Sequence, residues 1–357
     1  MNLQDTASLA AFLQLGISKK SLQRLLQSYD SFSTAWQRPI SDYQHVLEES
    51  DREKISLKEE ALLATYLKKC EQESIQAISS YEASYPLLLK EISSSPAFLF
   101  VKGDVSLLSA VQPIAVVGTR KISDYGKQVL YEVIPPLVRA GAVIVSGLAY
   151  GVDSLAHEIA LEHGGKCVAV LGSGVDIIYP STHRVLSRKI LEKGGAIVSE
   201  LPLGMQPLPQ FFPARNRIIS GLSKSTVVIE AQQQSGSLIT AQFALEQNRD
   251  VYAVPGSIFT ENQQGTNQLI AQGAYPLLSA ETLLSQLQLT PRDTSRESLL
   301  SFDSAEEKMI YESLREPQSL DQLHQLKGLD VVKINQLLSL MELKGFVRQV
   351  GQRYMRG

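Results

Sequence analysis

The sequence predicts an α/β protein built on a doubly wound, mostly parallel sheet, and three observations carry that prediction. Between about residues 110 and 288, short runs rich in Val and Ile alternate with helical stretches, each run is apolar throughout, and each ends in Gly or a polar residue. Continuous apolar character marks strands covered on both faces, and strand–helix alternation implies parallel crossovers. In order the runs are PIAVVG, AVIVSG, KCVAVLG, GAIVSE, STVVIEA and DVYAVPG, which describe a Rossmann-like core. Pro135 and Pro136 fall in the first helix of that core, where a missing N–H and a steric clash predict a kink or interruption.

Residues 1–75 read as a small helical domain, with Leu9, Phe12 and Leu13, then Leu22, Leu25 and Leu26, at helical spacing. Its LGIS turn between two helices resembles a helix-hairpin-helix or SAM-like element, although such turns occur in many bundles. The sheet domain is assigned to 76–288. Residues 289–303, LTPRDTSRESLLSFD, are polar and read as a linker. A tail domain, 304–357, offers helical stretches near 304–314, 318–327 and 331–343. The KGFVRQVGQRYMRG that follows has the Gly spacing of a β-wing, so the tail resembles a winged helix. After Lys344 it holds Arg348, Arg353 and Arg356 with no acidic residue, which could face phosphate or could simply be a solvated basic terminus.

Composition excludes several classes. At 357 residues, with 44% hydrophobic and 20% charged, the chain is able to bury a sizeable core and to form two or three domains. The first residues lack a secretory pattern, and nowhere do about 18 apolar residues run together, so a cytoplasmic protein without membrane spans is expected. Two cysteines, Cys70 and Cys167, stand far apart without metal-type spacing, which suits a reducing compartment. The five histidines are scattered, and no metal site or cofactor is expected. A net charge of −3 is unusual for a nucleic-acid binder, so the local distribution of charge has to decide.

In an open parallel sheet, ligands bind beyond the carboxyl ends of the strands. Here those ends carry Gly118-Thr119-Arg120, then Ser146-Gly147 leading through LAYGVD to Asp153, then Gly172-Ser173-Gly174. Small residues let backbone N–H groups approach an anion, although βα turns use Gly for geometry alone. The dinucleotide fingerprint is missing, since the chain reads GTRKISDYG, and a nicotinamide-dependent dehydrogenase is disfavoured. Arg120 can fork onto a phosphate or a base edge. From Leu201 to Ile229 the chain contains Arg215, Arg217 and Lys224 and no acid, with Phe211 and Phe212 just before them. Cations interleaved with aromatic rings suit single-stranded nucleic acid, and core packing is the alternative for at least one Phe. Ser235, Gly236 and Ser237 sit at a helix start with Thr240 one turn further on, a place for an anion or for the helix's own cap. Glu230 ends a strand without the partner that acid–base chemistry would need.

Taken in order, VVGTR, SGLAYGVD, AVLGSGVDIIYP, FPARNRIISGLS, EAQQQSGSLITA, VPG and GTNQLIAQGA resemble the DprA/Smf family across roughly residues 80–288. The resemblance implies an extended Rossmann-like domain that binds single-stranded DNA, forms homodimers and is not an enzyme. It also implies a protein that loads RecA onto strands coated by single-strand-binding protein, chiefly in natural transformation and DNA recombination. Carried onto this chain, the DNA pocket falls on Gly118, Thr119 and Arg120 and on the Arg215–Lys224 segment, including Asn216. The family's YPxxN reads here as Tyr179-Pro180-Ser181-Thr182-His183, which leaves the role of that Asn in question. The competing expectation is a nucleotide N-glycosidic hydrolase of the lysine-decarboxylase-like fold, whose PGG-x-GT-x-x-E run is absent.

Overall fold

A computed structural model describes residues 1–290, 302, 304–314, 316–324 and 330–356. The chain divides into two compact units, Met1–Arg292 and Asp293–Gly357. Most of the expected linker, residues 291–301 and 303, lies outside the described residues.

The first unit is organised by a nine-stranded sheet: β1 (Ile75–Ser79), β2 (Phe98–Gly103), β3 (Pro113–Val117), β4 (Val143–Ser146), β5 (Lys166–Val170), β6 (Ala196–Ser199), β7 (Ser225–Val228), β8 (Asp250–Ala253) and β9 (Tyr275–Pro276). Its spatial order is β1-β2-β6-β5-β4-β3-β7-β8-β9. From β6 to β9 every neighbouring pair is parallel, and β1 and β2 extend the sheet antiparallel beside β6. All six apolar runs form strands.

Helices cover both faces: α1 (Leu3–Gln14), α2 (Lys19–Tyr29), α3 (Phe32–Gln37), α4 (Glu49–Ile55), α5 (Glu60–Gln72), α6 (Leu87–Lys90), α7 (Asp124–Arg139), α8 (Val152–Glu162), α9 (Arg184–Glu192), α10 (Phe211–Gly221), α11 (Gly236–Glu246), α12 (Glu261–Ala271) and α13 (Ala280–Gln286). Alternation along β3 divides two cores. Ile114 and Val116 pack with Leu130 and Ile134 of α7 and Ile159 of α8, whereas Ala115 and Val117 pack with Ile218 of α10 and Ala241 of α11. The crossover from β3 therefore lies on one face and that from β7 on the other. The neighbours β3 and β7 are the topological switch point, where a doubly wound sheet opens a crevice.

The expected break at Pro135 and Pro136 does not occur, because α7 runs through both prolines to Arg139. Two i→i−4 donors are lost, but Leu130, Val133, Ile134 and Leu137 are buried along one side of the helix. Tertiary burial of an apolar face supplies most helix stability, and here it outweighs the proline cost. The separation placed after residue 75 is also not a structural gap. Phe12, Phe32 and Trp36 share one buried cluster with Phe98 and Phe100 of β2, and the Phe12 and Trp36 rings meet edge-on at 4.9 Å. Gly16, with φ +76°, makes the turn between α1 and α2. Cys70 and Cys167 are buried free thiols, which burial pushes up to about 11 and about 12 respectively.

In the second unit, α14 (Ala305–Ser313), α15 (Leu320–Leu323) and α16 (Val331–Leu343) accompany β10 (Gln318–Ser319), β11 (Val347–Val350) and β12 (Arg353–Arg356). The strands form an antiparallel sheet in the order β10-β12-β11. In chain order the described elements of this unit run α14, β10, α15, α16, β11 and β12. Ile310, Leu323, Ile334, Leu338 and Met341 make its core.

Candidate functional site

A cleft of roughly 480 Å³ opens at the carboxyl ends of β3 and β7. Gly118 and Arg120 form one wall, and Phe212, Arg215 and Asn216 of α10 form the facing one. The start of α11, with Ser235, Gly236, Ser237 and Thr240, closes a third side.

Arg120 is exposed. Its guanidinium carbon lies 5.8 Å from the centroid of the Phe212 ring, which in turn is 5.5 Å from the ring of Tyr179. Gly172 makes room for that stack, since a Cβ there would stand 2.9 Å from Phe212 Cδ1. The loop beneath Arg120 is fixed by its neighbours. Thr119 N donates to the Glu230 carbonyl at 2.8 Å, and Thr119 Oγ1 accepts from Lys121 N at 3.2 Å. Thr119 itself is buried, so the residue before Arg120 turns inward and Arg120 points to solvent.

Arg215 behaves in the opposite way. It is only 5% exposed. Its Nη1 donates to the Gly147 carbonyl at 2.8 Å and also to the carbonyl of Val170, so one guanidinium braces the ends of β4 and β5. Asp153 lies beside it, with Oδ2 accepting from Gly147 N at 3.0 Å and from Ala149 N at 3.4 Å. A Cβ on Gly147 would come within 2.5 Å of Arg215 Nη2 and 2.7 Å of Asp153 Oδ2, so only glycine fits between the two charges. Burial lowers Arg215 to about 10, against the opposing pull of Asp153. Burial likewise raises the Asp153 carboxyl above its ordinary value, although Arg215 and the loop amides favour its ionised form.

At the start of α11, Ser235 Oγ accepts from Ser237 N at 3.4 Å, and the two hydroxyls are 2.8 Å apart. Asn216 Nδ2 donates to the Gly236 carbonyl at 3.1 Å, fastening α10 to this helix start. No atom stands within 4 Å of where a Gly236 Cβ would be, so the backbone is open to an approaching anion. Thr240 is buried one turn below.

Other sequence-selected residues lie outside the cleft lining. Ser146 is buried and donates to the Val116 carbonyl at 2.7 Å, tying β4 to β3. Ser173 Oγ donates to Ile177 O at 2.6 Å and Gly174 N to Met205 O at 2.9 Å, both shaping the loop after β5. Arg217 is paired with Glu200 at 2.6 Å. Lys224 precedes β7 at the amino end of the sheet, its N–H donating to Pro113 O at 2.9 Å, so it cannot share a mouth formed at the carboxyl ends. Conversely, Asp153 and Tyr179 line the cleft and were not selected from the sequence as site residues.

Glu230 is fully buried and accepts from Ser123 N at 2.9 Å, Gln263 Nε2 at 3.1 Å, Asn262 Nδ2 at 3.4 Å and the Ser123 hydroxyl. That carboxylate binds three segments together. His183, standing where the YPxxN pattern has Asn, shares a 2.8 Å hydrogen bond through Nδ1 with the carbonyl of Leu148, whose φ is +57°. Among the described residues, no cluster of three His, Cys, Asp or Glu is placed to hold a metal, and no helix is long and apolar enough to cross a membrane.

The family model described as DNA recombination-mediator protein A matches residues 76–288, which carry nearly the whole sheet and all of the cleft. The chain belongs to that family. It is 38% identical to protein Smf of Escherichia coli over 294 residues, covering 80% of this chain and 78% of that one. It is 43% identical to DNA processing protein DprA of Bacillus subtilis over 216 residues, 60% of this chain and 72% of the relative. Among solved structures it resembles DprA of Streptococcus pneumoniae, with TM-score 0.62, 33% identity and coverage of 79% of this chain and 97% of the other. It also resembles DprA of Helicobacter pylori, a structure concerned with that protein's single-stranded DNA binding mode, with TM-score 0.55, 28% identity and coverage of 60% and 95%. The DprA relatives are DNA-processing proteins by name, and the mixed α/β fold is shared with the two solved ones.

Proposed function

We propose that the chain binds single-stranded DNA in the cleft between β3 and β7. The observation that carries this reading is the exposed Arg120 guanidinium lying over Phe212, with Tyr179 beyond it and the open start of α11 opposite. A free cation, two rings and an open helix start are what a strand needs to be held by phosphates and by stacked bases. Gly118 makes room for Val152 and the Glu230 carbonyl behind the cleft wall, and Asn216, Ser235, Gly236, Ser237 and Thr240 set the anion-facing side. Thr119, Ser146, Gly147, Ser173, Gly174 and Arg215 act beneath the surface by holding that geometry. The H. pylori relative's reported binding mode supports the same ligand.

Family membership supports a wider role, in which the protein works in the cytoplasm as a homodimer. There it would load RecA onto strands released from single-strand-binding protein, in natural transformation and recombination, without catalysing a reaction or using a cofactor. The full engagement of Glu230 supports the non-enzymatic reading over a nucleotide hydrolase.

The test is a titration with a single-stranded oligonucleotide and its duplex, run beside a nucleotide-hydrolysis assay. Tighter binding of the single strand is expected, with a log–log salt slope of about −0.7 per phosphate neutralised. Equal affinity for the duplex, or turnover lost in Glu230→Gln, would overturn the reading.

A further inference from the structure

Next to the cleft, the turn after β8 holds two apolar side chains in water. Phe259 is 91% exposed and Ile258 73%. Single exposed aliphatics are ordinary on a globular surface, but this pair stands on a built turn. Asn267 of α12 clasps Gly256 from both sides, accepting from its N–H at 3.2 Å and donating to its carbonyl at 3.0 Å. Ser257 Oγ accepts from Phe259 N at 3.3 Å, and Ser257 O accepts from Thr260 N at 3.1 Å. The backbone is held while the rings and methyls gain no burial from the fold.

Two more hydrogen bonds join this turn to the loop that carries Arg120. Tyr125 donates its hydroxyl hydrogen to Pro255 O at 2.8 Å, and Asn262 Nδ2 donates to Lys121 O at 3.0 Å. Lys121 is exposed, and the nearby Asp124 carboxylate is paired with Lys127 at 2.9 Å. The turn that carries Phe259 is thereby tied to the loop that carries Arg120 and Lys121, and Arg120 in turn meets the ring of Phe212, which meets that of Tyr179.

We propose that Phe259 is an outer stacking platform for a nucleobase of the strand whose phosphates pass Arg120 and Lys121. This rests on the cleft's binding single-stranded DNA, and it adds a contact outside the cleft. An aromatic face serves any base, because every base has a π-face. A two-residue apolar knob is far smaller than the roughly 800 Å² per partner of a stable protein interface, but it matches one base.

The test uses the full-length chain with oligothymidylates of increasing length. Phe259→Ala and Phe259→Leu should weaken binding of the longer strands by roughly fivefold or more, while the shortest strand, which occupies the cleft alone, binds as to wild type. Phe259→Trp should keep wild-type affinity, and its indole emission should be quenched on adding the strand, against a background of one native tryptophan, the buried Trp36. Wild-type affinity of Phe259→Ala for every length, retention of affinity by Phe259→Leu, or an unmoved indole emission would each overturn the proposal while leaving the cleft reading intact. Failure of the wild-type chain to bind any oligonucleotide would remove the cleft reading, and this platform with it.

Discussion

The loop after β3 and the helix α10 face each other across the same cleft, and they use their arginines in opposite ways. Arg120 is exposed and anchored by no ion pair among the described residues, with the Phe212 ring as its neighbour. Arg215 is buried and divided between the carbonyls of Gly147 and Val170, while Arg217 two residues on is locked to Glu200. A guanidinium held by backbone carbonyls fixes the shape of a site, whereas one left in solvent is available to a ligand. Charge counted along a sequence does not separate these roles.

The largest way to sharpen this contrast is to remove the brace. Arg215→Leu leaves two carbonyls without their donor and the buried Asp153 without its opposing charge. Breaking such a buried pair costs about 3–5 kcal/mol, which should lower the melting temperature by roughly 10 °C or more. Calorimetry on the purified variant checks this. Unchanged melting would make Arg215 a free ligand group like Arg120.

A second expectation concerns acid. His157 of α8 is buried with neither ring nitrogen hydrogen-bonded, and burial, aided by the charge of His183, lowers it from 6.5 to about 3. Its folded value lies below the unfolded one, so its contribution is complete above about pH 6.5 and is lost as pH falls through 3. Between those limits stability should decline by about 1.4 kcal/mol per pH unit from this group. Asp153, raised by burial, acts in the opposite direction, since its contribution is lost as pH rises. The His157 share is therefore read as the difference between wild type and His157→Leu in denaturant melts from pH 7 to pH 4. Parallel curves would show that the ring is solvated.

The smallest effects belong to the cations outside the cleft. Arg217→Ala should cost about 1 kcal/mol of stability as a partly screened pair and should leave oligonucleotide affinity within about twofold, a change of about 0.4 kcal/mol. Lys224→Ala should change neither. A large loss of affinity in either variant, measured by the same titration, would mean that the strand leaves the cleft and runs over α10.

The parallel strands were legible because apolar runs covered on both faces leave little else for the chain to do. β1 and β9 were less so, as β9 has two residues and β1 joins the sheet through its pairing with β2, which no local pattern announces. The prolines of α7 misled because burial of one helix face is a tertiary quantity. Arg120, Phe212 and the start of α11 were readable because strand ends and helix starts bear ligands in this architecture. Tyr179 was not, because the loop after β5 carries it to the cleft along a path set by bonds such as Gly174 N to Met205 O at 2.9 Å. The separation of Arg215 from Arg120 could not be read either, since identical side chains differ here only in what surrounds them.

The most direct test of the contrast is Arg120→Glu, with oligonucleotide affinity and melting temperature measured on one preparation. The substitution removes a solvent-facing cation and places an anion opposite the phosphates, so single-strand binding should fall by about two orders of magnitude or more while the melting temperature stays within about 2 °C of wild type. Arg120→Lys should lie between, keeping the charge without the planar fork. A folded Arg120→Glu variant that binds the strand as wild type does, or one whose melting temperature falls along with its affinity, would contradict the account.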